Sequence, residues 1–185
     1  MRSPYCFIVE PLGGARYDSV KNGITLSASK EDARYSNRYA LVIETPLDYT
    51  GEITPGDILL VHHNVFKYYN DIQGREKSGR SFLKEGQYIV DPDQWFMYKK
   101  DGQWKTFDRY CFVEPVSVKK HWINSPGLSS SLTGRITYSN DQLESLGITV
   151  GDLIGFTPES EYEFDIDGKV MYRMFTNNIC LKYEE

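Results

Sequence analysis

Few side chains in this sequence stand where they could do covalent or metal chemistry together. His62 and His63 are adjacent in or just after an apolar run. Neighbours on a strand face opposite sides, so the pair cannot ligate one ion from that element. Cys6, Cys111 and Cys180 are far apart, and no close Cys or His pair provides the ligand spacing of a zinc site. Each lies in an apolar strand-like run and reads as a buried free thiol of a reducing compartment. Gly127-Leu128-Ser129-Ser130-Ser131 lacks the closing glycine of a nucleophile elbow. Asp165-Ile166-Asp167-Gly168 has the first carboxylates of a calcium loop, but Met174 stands where the closing Glu belongs, so it reads as a hairpin turn. Gly13-Gly14 has neither the spacing nor the following helix of a phosphate loop. The sequence therefore assigns no catalytic residue, no metal ligand and no cofactor.

The chemistry that remains is recognition by apolar contact. The stretch 13–37 shows neither helical nor strand periodicity, and inside it lies one apolar island, Gly23-Ile24-Thr25-Leu26, flanked by polar residues. Extended, Ile24 and Leu26 point to one side and Thr25 to the other, which makes a small hook. A long connection of this kind in a strand-rich chain is functional or disordered, and a paired Ile and Leu favour function. A second polar segment, 67–80, mixes Tyr68 and Tyr69 with Arg75, Lys77 and Arg80.

The elements around these segments are strands and turns. Tyr5-Cys6-Phe7-Ile8-Val9-Glu10-Pro11 has a near copy in Tyr110-Cys111-Phe112-Val113-Glu114-Pro115. Thr54-Pro55-Gly56-Asp57 followed by Ile58-Leu59-Leu60-Val61 has one in Thr149-Val150-Gly151-Asp152 followed by Leu153-Ile154-Gly155-Phe156. Tyr88 to Met97 aligns without a gap to Tyr172 to Leu181, each reading strand, polar turn, strand. Asp101-Gly102 and Asp167-Gly168 are hairpin signals, and 141–146 suits one helical turn. From Cys6 to Gly56 is 50 positions and from Cys111 to Gly151 is 40, so the second copy is ten shorter, within the segment that holds the hook in the first. The pattern predicts an all-β chain with a small barrel or a sandwich for each copy, in tandem over residues 1–108 and 109–185.

The net charge of -5 is spread along the 185 residues, which makes no electrostatic case for nucleic acid. No apolar run is long enough to span a membrane and the start has no signal-peptide apolar region, so a cytoplasmic protein is expected.

The order of these motifs resembles that of the GroES co-chaperonin family. It runs from a strand ending in Glu-Pro-Leu, through the loop with Gly-Ile-x-Leu, to Gly-Asp before an apolar strand and a closing pair of strands around a polar turn. The resemblance implies two GroES-like β-barrels. It also implies that Gly23, Ile24, Thr25 and Leu26 are the contact with a nucleotide-bound GroEL-type chaperonin ring, and that the chain forms a homo-oligomeric ring assisting protein folding. Two departures go with it: the domain is doubled in one chain, and its second copy lacks the hook. Seven-fold rings of single domains cannot be built from a whole number of such chains, so either two tiers form or the symmetry differs. A divergent, doubled member is what a virus adapting a host chaperonin in the host cytoplasm would encode. Two other classes fit the residues: a virion structural or interaction protein reusing the barrel, and a small nucleic-acid-binding β-barrel stacking bases on the 67–80 segment.

Overall fold

The computed structural model describes residues 2–16, 20–21, 24–25, 36–116 and 132–184. The chain divides into two compact units, Met1–Lys105 and Thr106–Glu185. The sequence placed this division at 108/109.

In the first unit the strands are β1 (Phe7–Pro11), β2 (Val20–Lys21), β3 (Ile24–Thr25), β4 (Tyr39–Glu44), β5 (Ile58–Val61), β6 (Tyr68–Asn70), β7 (Glu76–Ser78), β8 (Phe82–Lys84), β9 (Gln87–Val90), β10 (Trp95–Lys100) and β11 (Gln103–Thr106). Seven of them form one antiparallel sheet in the order β11-β10-β5-β4-β1-β9-β8, while β2 pairs with β3 and β6 with β7 as separate hairpins. The segment 67–80 is thus a β-hairpin with its own ladder, Tyr68 opposite Ser78 and Asn70 opposite Glu76.

In the second unit β12 (Tyr110–Pro115), β13 (Thr133–Tyr138), the short helix α1 (Asp141–Ser145), β14 (Leu153–Phe156), β15 (Tyr162–Ile166), β16 (Lys169–Phe175) and β17 (Ile179–Lys182) follow one another. The sheet order is β15-β16-β12-β13-β14-β17. Read from its other edge its six strands match β10 to β8 of the first sheet in order, β17 standing for β10 and β15 for β8, and β11 is an added edge strand. Irregularities repeat as well: β1 and β4 slip register between Ile8 and Val9, and β12 and β13 between Phe112 and Val113. The two Gly-Asp turns share one design. Gly56 and Gly151 adopt φ of 99° and 94°, a left-handed conformation that a side chain would strain. Thr54 N–H then donates to Asp57 Oδ2 at 2.8 Å and Thr149 N–H to Asp152 Oδ2 at 2.7 Å.

The ladders correct two expectations. Pro11 pairs with Ala40 and Pro115 with Gly134, which sets Ile8 against Phe112 and Phe7, not Cys6, against Cys111. Pro11 to Tyr39 then spans 28 positions (39 − 11) and Pro115 to Thr133 spans 18 (133 − 115), so the connection that carries the hook is ten residues longer than its counterpart, while Ala40 to Gly56 spans 16 (56 − 40) and Gly134 to Gly151 spans 17 (151 − 134). Second, neither sheet closes into a barrel among the described residues. The first ends in the unjoined edge strands β11 and β8, and β9 is linked to β10 by a single 3-10 turn, Pro92–Gln94. Its proline offers no N–H, and Gln94 N–H bonds back to Asp91 O at 3.0 Å, so the two strands run on to opposite sides of the sheet order rather than folding as a hairpin.

The core of the second unit is continuous. Cys111, Val113, Ile136, Leu143, Ile154, Phe156 and Met174 pack together, and Leu143 brings α1 onto that cluster. Asn140 caps this helix by accepting from Leu143 N–H at 2.9 Å, while its amide reaches Tyr110 O and Thr176 Oγ1. In the first unit Val9, Val42, Leu59, Leu60, Val61, Phe66, Val90 and Met97 are buried. Of the three cysteines only Cys111 is buried; Cys6 is half-buried and Cys180 exposed. The alternation of β17, an edge strand with one covered face, leaves Cys180 outward, and Cys6 lies just before β1. No described helix is long and apolar enough to cross a membrane.

Candidate functional site: the loop base

The connection between β1 and β4 leaves the sheet after Pro11 and returns at Asn37. Gly13 and Gly14 both adopt φ of 77°, and Gly14 N–H donates to Pro11 O at 2.9 Å, turning the chain off the end of the strand. Its two ends then meet: Asn37 N–H donates to Arg16 O at 3.0 Å. Asn37 is 8% exposed and its side chain ties three backbone groups. Nδ2 donates to Leu12 O at 2.9 Å and Ala15 O at 2.8 Å, and Oδ1 accepts from Tyr39 N–H at 2.9 Å. Ser36 Oγ donates to His63 O at 2.8 Å, fixing the returning chain to the segment after β5. On the outgoing side the Arg16 guanidinium donates to Ser78 Oγ of the β6–β7 hairpin at 3.1 Å and lies 5.2 Å from the Tyr88 ring centre.

Of the expected contact residues, Ile24 and Thr25 form β3, in antiparallel register with β2: Val20 opposite Thr25 and Lys21 opposite Ile24. Gly23 and Leu26 lie outside the described residues. The extended backbone expected of the island is therefore present at Ile24 and Thr25. The matching connection of the second unit, 117–131, also lies outside them.

Sequence reasoning passed over Asn37 and Arg16. A signal existed for the first, an Asn two residues before an apolar strand, where a carboxamide can satisfy main-chain groups that the strand cannot.

The groups set aside as chemistry behave otherwise than a strand would place them. β5 ends at Val61, so His62 and His63 sit in the turn beyond it, with ring centres 4.1 Å apart and planes inclined by 33°. They stack on one side instead of pointing apart. Burial, followed by the neighbouring His62, Arg38 and Lys67, lowers the His63 pKa to about 4, so its ring is neutral. Asp167 and Gly168, at φ of 51° and 82°, form the two-residue loop of the β15–β16 hairpin, with Gly168 N–H donating to Asp165 Oδ1 at 3.0 Å. Among the described residues no group of three or more His, Cys, Asp or Glu could hold a metal ion.

No protein-family model matches the sequence, and no curated protein matches it at the significance asked of a homologue.

Proposed function

We propose that the chain is a co-chaperonin of GroES type that caps a nucleotide-bound GroEL-type ring through Gly23, Ile24, Thr25 and Leu26, performs no covalent chemistry, and acts in the cytoplasm as a homo-oligomeric ring. In this reading the two units are tandem GroES-like barrels, one of which has lost its hook. The observation that carries it is the pinned base. Residues 17–35 depart and return at Arg16 and Asn37, held by four hydrogen bonds, and carry an apolar island whose Ile24 is already extended.

The energetics favour a ring over a single hook. Ordering a loop costs about 1 to 2 kcal/mol per residue in backbone entropy, whereas burying an Ile and a Leu returns roughly 1.5 to 3 kcal/mol each. One hook binds weakly, and several on one ring bind by avidity yet can be released together. The β2–β3 ladder fixes part of the loop in advance and so lowers the ordering cost.

The test is capture of the purified chain by a bacterial GroEL-type ring with and without adenine nucleotide, beside an Ile24→Ser, Leu26→Ser variant. Nucleotide-dependent capture that the variant loses supports the lid; no capture in either nucleotide state rejects it. A second reading, a particle or interaction protein, draws on Ile72 at the tip of the β6–β7 hairpin and on Leu47, both well exposed. Co-sedimentation with particles would favour it.

A further inference from the structure

At the foot of the β6–β7 hairpin the first unit holds a cavity of about 330 Å³, within the range of small-ligand sites. Its polar walls are unequal in kind. Lys67 brings an ammonium that no carboxylate of the described residues pairs with. Arg80 brings a guanidinium of which Nη2 is engaged by Asp91 Oδ2 at 2.5 Å, and whose other N–H groups have no partner among them. Gln94 is oriented by its neighbours. Its Oε1 accepts from Asp91 N–H at 3.1 Å and from Ser81 Oγ at 3.4 Å, which leaves the NH₂ end as the unused group of that amide. Asn64 adds a second carboxamide, and Asp93 is the single carboxylate in the lining. With Asp91 on Arg80 and Asp93 in the lining, two carboxylates face two cations, and the ammonium of Lys67 and the two amides are the donors left for a ligand. Gly79 completes the wall, and a Cβ there would stand 3.0 Å from Lys67 O, a tight contact with the backbone at the other foot of the hairpin.

We propose that this cavity binds an oxyanion, and specifically the phosphate of a small phosphomonoester. Three acceptor oxygens match the ammonium and amide donors that the lining residues carry, charge-assisted bonds of this kind are the strong ones, and the volume exceeds what a bare phosphate fills. A carboxylate shares the chemistry but offers two oxygens, so it engages fewer of these donors. The cavity owes nothing to the hook, and the lid reading and this site stand or fall separately.

Calorimetric titration of the full chain with glycerol 3-phosphate, inorganic phosphate and acetate, at low salt, tests it. The expected result is binding in the order phosphomonoester, phosphate, acetate, weakening as salt is added. Lys67→Met, which keeps the aliphatic stem, should weaken the phosphomonoester about tenfold, and Lys67→Arg should restore most of it. Asp93→Asn should tighten it several-fold by removing a like charge, a gain that misfolding cannot imitate. The absence of heat with 10 mM phosphomonoester, acetate binding as tightly, or unchanged affinity in Lys67→Met would each overturn the proposal.

Discussion

Lys182 Nζ lies 2.7 Å from Asp152 Oδ2, and the same relationship recurs in the other unit, where Lys100 Nζ lies 3.1 Å from Asp57 Oδ2. In each case a lysine of the last long strand is tied to the carboxylate that shapes the Gly-Asp turn. One aspartate thus serves a turn N–H and a cross-sheet cation at once. Burial by itself raises the Asp57 carboxyl, but the Thr54 N–H and the Lys100 ammonium outweigh it and leave the pKa below the ordinary value of 3.8. A lowered carboxylate contributes stability that is present above the unfolded value and lost as pH falls from there through the lower folded-state value. Asp57→Asn should therefore destabilise the first unit by about 1 kcal/mol at neutral pH, after allowing for solvent screening. That difference should shrink below about pH 4 in urea midpoints measured against pH; a constant gap would mean the charge plays no part.

Asn37→Ala should cost about 2 to 3 kcal/mol, because the carbonyls of Leu12 and Ala15 and the N–H of Tyr39 all lose their partner in a buried place. Asn37→Asp keeps the acceptor for Tyr39 but turns an oxygen on two carbonyls, and should be no better than alanine. Denaturant unfolding of both variants reads this directly. A change under about 0.5 kcal/mol would show that the loop base does not depend on the side chain.

His63 acts in the same direction in a higher pH window. Its lowered pKa keeps the ring neutral in the fold, so its contribution is complete above the unfolded value of 6.5 and is lost as pH falls toward about 4. Stability should decline across that window by on the order of 1 kcal/mol, given that the ring is only half-buried. His63→Gln should flatten the decline, as followed by thermal melts in buffers of matched ionic strength.

The thiols should react in order of exposure. Cys180 is exposed and should be labelled first by a thiol reagent at neutral pH. Cys6 is half-buried; burial, then its Sγ contact with Asp91 Oδ1 at 3.1 Å, raises its pKa, so it should follow slowly. Cys111, pushed up to about 12 by burial, should react only on unfolding. Cys180→Ser must remove the fast phase; a fast phase that survives would place another thiol at the surface.

Gly134 and Ala40 occupy the same place, each opposite the proline that ends the first strand of its unit. A Cβ on Gly134 would overlap Val113 Cγ1 and come within 2.8 Å of Glu114 O, so Gly134→Ala should cost about 1 to 3 kcal/mol. The paired control, Ala40→Gly, should cost about 1 kcal/mol through backbone entropy and lost contacts. Equal tolerance of alanine at both places would contradict the closer packing of the second unit.

Much of the sheet framework was legible because it is local. Apolar runs bounded by Gly-Asp and Asp-Gly mark the strands and hairpins, and 176–178 matches 92–94 as a 3-10 turn in the expected alignment. What failed depends on long-range pairing. Which of Cys6 or Phe7 corresponds in position to Cys111 is decided by the Pro11–Ala40 and Pro115–Gly134 register, invisible in a run of similar apolar residues. The histidine stack was missed because the strand stops at Val61, one residue sooner than strand alternation assumes. Asn37 and Arg16 act on main-chain atoms and on Ser78 that lie far along the chain, and no periodicity signals such partners.

The matched sheet orders carry a consequence for synthesis on the ribosome. β1 pairs with β4 and with β9, so the apolar Phe7, Ile8 and Val9 can gain one neighbour once residue 44 has emerged but wait for the second until residue 90. β12 waits in the same way for β16. Such non-local ladders close slowly and expose strand edges meanwhile. Each sheet draws its strands from one continuous stretch, so the N-terminal half can be complete before the C-terminal half has left the tunnel. Vectorial folding in two rounds would then never present more than one unfinished sheet to the crowded cell.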